Sequence, residues 1–444
     1  VAAAVLLLGG LAGCVMLGDR IDQARWRLSI PFFVFDNAPN YCPPEQVPVM
    51  NEPVNVAVAV SGGGVRSAVF AAGVMEQLAA IPDPRNGGAS LMDNLTAVGG
   101  VSGGSMAATY FCLYKPDRFA NSAETAAFFQ RFKSNMTLDV WMRGWAHYLT
   151  RPWEGLGRYY SRYRFVQSYA NAIDRHLFRG ATFEHLNRRE VRGEAPPLVV
   201  HAASLDTGRR FLFTNLNTAK NFTVDPEKLL ARLPAVAPAG DRAGLTMLAQ
   251  MQASPVCRSF GFDTINSDIR PFRLASAIAA SSGYPLVPGP AALIDYATKG
   301  YVHVADGGIN DNFSMDALVE MYLARLQRAP RANRLVIISI DATGTGRAKD
   351  KSGDPDGYTG VLTYGSQAFI HQTTRAQTFA SVLYGNLDSI RVIPVRLRDM
   401  PGHENLEDLA MGGSISEKDM YFVLNAAVQL TAAQRDAIRQ ALKR

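Results

Sequence analysis

Two stretches that run from an apolar strand into glycines and then into a helix constrain this chain more than any other feature. The first, "VNVAVAV" (54–60), is apolar without polar alternation. Such a run suits a strand covered on both faces, as in a parallel sheet. It ends in "SGGGVRS" (61–67), and a helical pattern follows from Ala68 to Ala80. The second, "LTAVGGV" (95–101), ends at Ser102 and also leads into a helix. Further strand candidates are "PLVVHAASLD" (197–206), "NRLVIISIDA" (333–342) and "DSIRVIPVRL" (388–397). Strands separated by helical stretches predict an α/β fold with a layered sheet. The closing "LTAAQRDAIRQALKR" predicts a helix capped by Thr431.

Each glycine turn has a chemical and a plain reading. Gly100-Val101-Ser102-Gly103-Gly104 has the spacing of a nucleophile elbow, a sharp strand-to-helix turn that exposes a serine oxygen. Small residues after Ser102 let the helix start close to the strand, and its N-terminus aims free N–H groups at charge developing there. The same spacing also fits an ordinary glycine-rich turn, and a serine hydroxyl needs a base before it attacks anything. In the other turn, Gly62, Gly63 and Gly64 permit unusual backbone angles and close approach of a ligand. Their N–H groups can form a nest for a phosphate or for the oxyanion of acyl transfer. The phosphate reading loses ground. No lysine stands at the Walker position, and the dinucleotide pattern fails because residue 67 is Ser.

"SGGGVRS", about 40 residues before "GGVSGGS", resembles the patatin-like phospholipases. That family joins a Gly-Gly-Gly-x-Arg oxyanion loop to a Gly-x-Ser-x-Gly elbow and a distant Asp-Gly-Gly or Asp-Gly-Ala. Here "ADGGINDN" supplies Asp306-Gly307-Gly308. Weaker echoes are "AASLDTGRRFLF" (202–213) and "ASAIAASSGYPLVPGP" (275–290), and the resemblance runs from Val54 to Leu318. It implies a three-layer sandwich with a central, mostly parallel sheet and an inserted helical segment. It also implies hydrolysis of lipid esters through an acyl-Ser102 intermediate, with Asp306 activating Ser102 directly, without histidine. Gly62, Gly63 and Gly64 would form the oxyanion hole, and Arg66, Gly100, Gly103, Gly104, Gly307 and Gly308 would support it. No cofactor or metal is expected.

A carboxylate of ordinary pKa, near ~3.9, is a feeble base for serine in water. It can serve in a dry site where the proton moves as the tetrahedral charge forms and is bound by N–H groups. Apart from the resemblance, Asp306 also reads as a turn-capping aspartate before glycines. Arg66 is expected to anchor the glycine loop or the helix start, with contact to a lipid phosphate as the minor alternative. His201, in an apolar strand, reads as a core residue, and His303 is the histidine nearest Asp306 in sequence. The family loop often opens with Asp and closes with Gly after the Arg, where this chain has Ser61 and Ser67. The Ser-led form is similar to the cytosolic phospholipase branch. Two other readings stand beside this one. An α/β-hydrolase triad would need His371 or His403, and a non-catalytic envelope lipoprotein would use the fold for partner binding.

The first residues, "VAAAVLLLGGLAGC", form a short apolar run ending in small residues, which reads as a secretory signal. Leu11-Ala12-Gly13-Cys14 resembles a bacterial lipobox, with Cys14 lipidated. The basic residues that open such signals are absent before Val1, so a truncated start is expected. No run of 18 apolar residues suggests a lasting transmembrane helix. The expected organisation is a signal peptide over 1–13, a tether over 14–52, a hydrolase domain over 53–400 and a C-terminal helical extension over 401–444. The expected place is the bacterial cell envelope. Cys42, Cys112 and Cys257 show no metal-ligand spacing, and buried free thiols are expected for Cys112 and Cys257.

A helical insert over 115–195 is expected to be aromatic and basic. Residues 131–192 carry 12 Lys/Arg against 5 Asp/Glu, with 12 of the 42 aromatic residues. Trp141, Trp145, Trp153 and "GRYYSRYRF" (157–165) suit a membrane interface, and equally the core of a helical subdomain. Lipid and a membrane surface are the expected partners, not nucleic acid.

Overall fold

In β1 (Val54–Val60) wide and narrow side chains alternate, and the sheet uses the difference. Val54, Val56, Val58 and Val60 enter one apolar cluster, while Ala57 and Ala59 enter a second cluster on the opposite face. The computed structural model describes residues 35–47, 49–150, 164–284, 289–329, 333–343, 373, 375–402 and 414–443.

From β1 the chain continues through α1 (Gly64–Ala79), β2 (Ala97–Val101) and α2 (Gly103–Tyr114). Four helices follow: α3 (Ser122–Met136), α4 (Val140–Leu149), α5 (Arg164–Ile173) and α6 (Phe183–Val191). Then come β3 (Leu198–Ser204), β4 (Arg210–Phe213), α7 (Pro226–Val236), α8 (Arg242–Ala253), β5 (Phe260–Gly261) and α9 (Leu274–Ser281). The rest comprises β6 (Ala291–Asp295), β7 (Gly300–Asp306), α10 (Asp316–Leu326), β8 (Arg334–Asp341), α11 (375–385), β9 (Ile390–Arg396) and α12 (Glu417–Ala441).

The sheet runs β9-β8-β1-β2-β3-β4-β5, with β7 on β3 and β6 on β7. The path from β9 to β3 is parallel throughout. β4 and β7 join β3 antiparallel. Residues of α1, α2, the four insert helices, α9 and α12 pack with one face, and residues of α7, α8, α10 and α11 with the other. This is the expected three-layer α/β sandwich. The chain leaves β1 toward β2, whereas β8 returns to β1's other side, so the strand order reverses there. Open α/β sheets carry their sites at such a reversal, beyond the carboxyl ends of the strands. Both glycine turns lie at that end.

Several local expectations are corrected. Helix α1 begins at Gly64, inside the glycine loop, not at Ala68. The last helix is capped by Ser416, whose side chain accepts from the Asp419 N–H, and Thr431 lies buried inside it. A cap competes with burial, and Thr431 stands where α12 packs on α1, near Ala427, which a Cβ on Gly73 would meet at 2.8 Å. The segment expected as a C-terminal extension therefore shares the main core. The tether is also shorter than expected. Phe35 is buried edge-on to Phe272, and Asn37 donates to Ser267 Oγ and to the Ile294 carbonyl. Residues from Phe35 onward thus belong to the fold, while residues 1–34, with the signal and Cys14, lie outside the described residues. Cys112 is buried as expected, but Cys257 is only half-buried.

Candidate active site

The elbow is built by glycines that let two backbones touch. A Cβ on Gly103 would run into the Gly64 carbonyl, and one on Gly104 into that of Ser61. Ser102 itself has φ 53° and ψ −126°, a conformation a non-glycine residue adopts at a cost of roughly 1–3 kcal/mol. That turn lifts the half-buried serine off the strand and starts α2 immediately after it.

Sheet register brings Asp306 to this point. Along one edge of β3, β2 pairs up to Val101–His201, and β7 takes over at Asp306–Ala202. Asp306 thus occupies the rung that Ser102 would have filled had β2 continued. Its side chain is almost wholly buried and lies close enough to the Ser102 side chain for that hydroxyl to favour its charged form. Its Oδ1 also accepts the Gly308 N–H at 2.8 Å, an Asx turn made with the first residues of the Asp-Gly-Gly motif. Burial pushes the Asp306 carboxyl up from its usual 3.8 to about 6, against the opposing pull of the Gly308 N–H and the nearby Ser102 hydroxyl. A buried carboxylate of raised basicity beside a serine hydroxyl can take that hydroxyl's proton.

The glycine loop closes over the pair. A Cβ on Gly62 would stand 3.6 Å from Ser102 Cβ. The Gly62 N–H donates to the Asn312 carbonyl at 3.0 Å, so the loop is fastened to the segment that follows Asp306. Gly63 (φ +140°) and Gly64 (φ +61°) begin α1, and their N–H groups meet no protein acceptor among the described residues. The N–H groups of Gly63 and Gly64 are thus the open donors of the loop, while that of Gly62 is spent on Asn312. The Arg66 guanidinium is buried beside Gly63; burial lowers its pKa, and nearby Asp341 opposes the shift.

The sequence model of one family, the patatin-like phospholipases, matches residues 58–319, more than half of the chain. The chain belongs to that family. Among solved structures, the patatin-like chain is similar to human GIVD cytosolic phospholipase A2 at 12% identity and a TM-score of 0.42, over 97% of this chain and 66% of that one. It is similar to VipD from Legionella pneumophila at 12% identity and 0.37, over 91% and 71%. For the type III effector ExoU the values are 13% and 0.33, over 88% and 54%. The chain thus spans about two thirds of the human enzyme's length. No curated protein sequence matches it.

The histidines whose side chains are described stand away from the patatin-like pair. His201 is buried behind the elbow, Nε2 at 3.0 Å from Ser314 Oγ and Nδ1 at 3.5 Å from Asp311, as its core reading anticipates. His303 is only partly buried and pairs with Asp206 at 3.0 Å. His185 closes the capping box of α6, and His176 sits beside Arg143. His371 and His403 lie outside the described residues. In the insert, Trp141 and Trp145 are partly buried against the main core, and Trp141 meets Tyr169 edge-on at 5.9 Å. Trp153 and residues 157–163 lie outside the described residues.

Sequence reasoning missed three residues of the site. Tyr169, from α5, is buried near Ser282 and close enough to sense the charge of Asp306. Asn312 holds the glycine loop. Ser281 accepts the Ser102 N–H at 2.9 Å. The only signal for Ser281 was its place in the "ASAIAASSGYP" echo.

Proposed function

We propose that the chain is a lipid acyl hydrolase that cleaves carboxylic esters of phospholipids or related lipids through an acyl-Ser102 intermediate. The observation that carries this reading is the register that brings the buried, unusually basic Asp306 to Ser102 at the end of β2. In the reaction, Ser102 Oγ attacks the ester carbonyl while Asp306 accepts its proton. The oxyanion that forms is held by the N–H groups of Gly63 and Gly64. As the intermediate collapses, Asp306 passes the proton to the departing alcohol. Water then gives one proton to Asp306 as its oxygen attacks the acyl carbonyl, and as the bond to Ser102 Oγ breaks Asp306 returns that proton to Oγ, releasing the fatty acid. Arg66 supports the glycine loop from below.

The lipid would be met at a membrane. Met142 and Leu149 of α4 are 58% and 72% exposed and lie seven residues apart, on one helix face. The basic and aromatic run beyond α4 would sit at anionic head groups, where each Lys or Arg contributes about 1 kcal/mol. Lipidation of Cys14 would tether the domain to the bacterial envelope, two or more acyl chains being needed for a stable anchor.

A fluorophosphonate probe with a lipid hydrolysis panel tests the reading. The full-length protein should be labelled on Ser102 and should release fatty acid, and Ser102→Ala should do neither. Hydrolysis that persists in Ser102→Ala would exclude the acyl-serine route. A protein that neither labels nor hydrolyses any ester would be a binding protein on the same fold.

A further inference from the structure

The parallel ladder between β2 and β3 breaks one rung before its end. Val98 N–H donates to the Pro197 carbonyl at 2.9 Å, and the pairing continues in register to Val101–His201. Continued by the same rule, the Ser102 N–H would donate to the His201 carbonyl. Instead it donates to Ser281 Oγ at 2.9 Å, and Ser281 Oγ donates to the His201 carbonyl at 2.5 Å. A side-chain hydroxyl from α9 thus stands inside the ladder in place of a backbone hydrogen bond. Two hydrogen bonds in series keep the N–H and the carbonyl roughly 4–5 Å apart, where a direct bond would draw them to about 2.9 Å. The same turn also holds the other partner: the Asp306 N–H donates to the Gly283 carbonyl at 3.0 Å.

We propose that Ser281 is a positioning residue, whose hydroxyl spaces the end of β2 from β3 so that Ser102 Oγ meets the Asp306 carboxylate. The proposal rests on the reading of Ser102 as the nucleophile. Ser281 is fully buried, and its hydroxyl spends its one proton on His201 and a lone pair on Ser102. In Ser281→Ala, either the N–H and carbonyl close on each other and pull Ser102 toward β3, or both stay buried without partners and the elbow loosens. Both outcomes move Oγ while leaving the lipid-binding surface as it was. Misplacement of a reacting atom by ~1 Å costs on the order of 10²-fold in rate.

The test compares Ser281→Ala, Ser281→Thr and Ser281→Cys with the unmodified full chain and with Ser102→Ala. The readouts are kcat and KM on a short soluble ester, the rate of fluorophosphonate labelling, and the melting temperature. Ser281→Ala is expected to lose 10- to 100-fold in kcat and in labelling rate, with KM within about twofold. Ser281→Thr, which keeps the hydroxyl, should recover most of the rate, and Ser281→Cys, similar in size but a weak hydrogen-bonding partner, should not. If Ser281→Ala does not fold, the order of Thr above Cys decides alone. Full-rate turnover in Ser281→Ala overturns the proposal. So do equal losses in Thr and Cys, which would mark a packing role. Hydrolysis that survives Ser102→Ala overturns the acyl-serine reading itself. Inactive Ser102→Ala beside fully active Ser281→Ala removes only the role of Ser281.

Discussion

Replacing Asp306 with Asn should abolish turnover and yet stabilise the protein at neutral pH. The carboxyl titrates near 3.8 in an unfolded chain and at about 6 in the fold, because burial disfavours its charge. One pKa unit corresponds to about 1.4 kcal/mol, so the ionised side chain costs the folded state roughly 3 kcal/mol. The cost is absent below about pH 3, where both states are protonated. It grows as pH rises and is complete above about pH 6.5. Asn carries no charge at any of these pH values. The melting temperature of Asp306→Asn minus that of the unmodified protein should therefore rise between pH 4 and 6.5 and then level off. With an unfolding entropy of about 2 cal/mol/K per residue, 3 kcal/mol in a chain of 444 residues amounts to roughly 3 °C. Any fixed penalty from the exchanged hydrogen bonds cancels in the pH dependence. Scanning calorimetry of both proteins from pH 4 to 8 makes the measurement, and kcat/KM of the unmodified protein over the same range is its companion. The base must be ionised, so kcat/KM should fall about tenfold per pH unit below about 6 and be flat above it. A melting difference that does not change with pH would refute the claim that a buried charge is held at this position. An acid limb centred near pH 4 would mean that the base has ordinary solvation.

Gly63→Ala places a Cβ on a residue with φ +140° at one end of the open N–H pair. It should lower kcat about 10²–10³-fold on any ester, as the loss of one oxyanion donor does; a change below threefold would move the oxyanion hole elsewhere. Exchanging the exposed Met142 and Leu149 for Glu should reduce hydrolysis of anionic vesicles several-fold and spare a short soluble ester. Equal rates on vesicles for both proteins would separate α4 from the membrane. Trp145→Ala, which removes a side chain packed on the core, should instead lower the melting temperature and affect both substrates alike. Mass spectrometry of protein from a bacterial membrane should find the mature N-terminus at Cys14 carrying three acyl groups, and an unmodified Cys14 in that fraction would refute the anchor.

Much of the site is legible in the sequence because its parts are local. A backbone that must touch another backbone has no room for a Cβ, so Gly103 and Gly104 record the contact of elbow and loop in their own identities. The buried strands β1, β2, β3 and β8 are legible because each covers both of its faces with apolar residues and must spell that out, and the edge strand β9 still alternates apolar residues with Arg391 and Arg396. The short strands β4 and β6, and β7 with its polar and half-buried first residues, carry no such run and are not legible in the sequence. Thr431 shows the limit of a local rule: a threonine ahead of a helical pattern looks like a cap until burial claims its side chain.

What the sequence cannot state is register. Asp306 becomes the partner of Ser102 only because β7 joins β3 at Ala202, one rung past the end of β2. Ser281 enters the ladder because α9 lays its last turn across that junction. Gly62 gives up its N–H because the segment after Asp306 brings the Asn312 carbonyl to it. These residues are 179 to 250 positions apart, and no local propensity at either end encodes the meeting. The chemistry-bearing types are written in the chain. Which donors stay open and which carboxylate loses its water are decided by packing, because hydrogen bonding and desolvation depend on neighbours that only the folded sheet brings together.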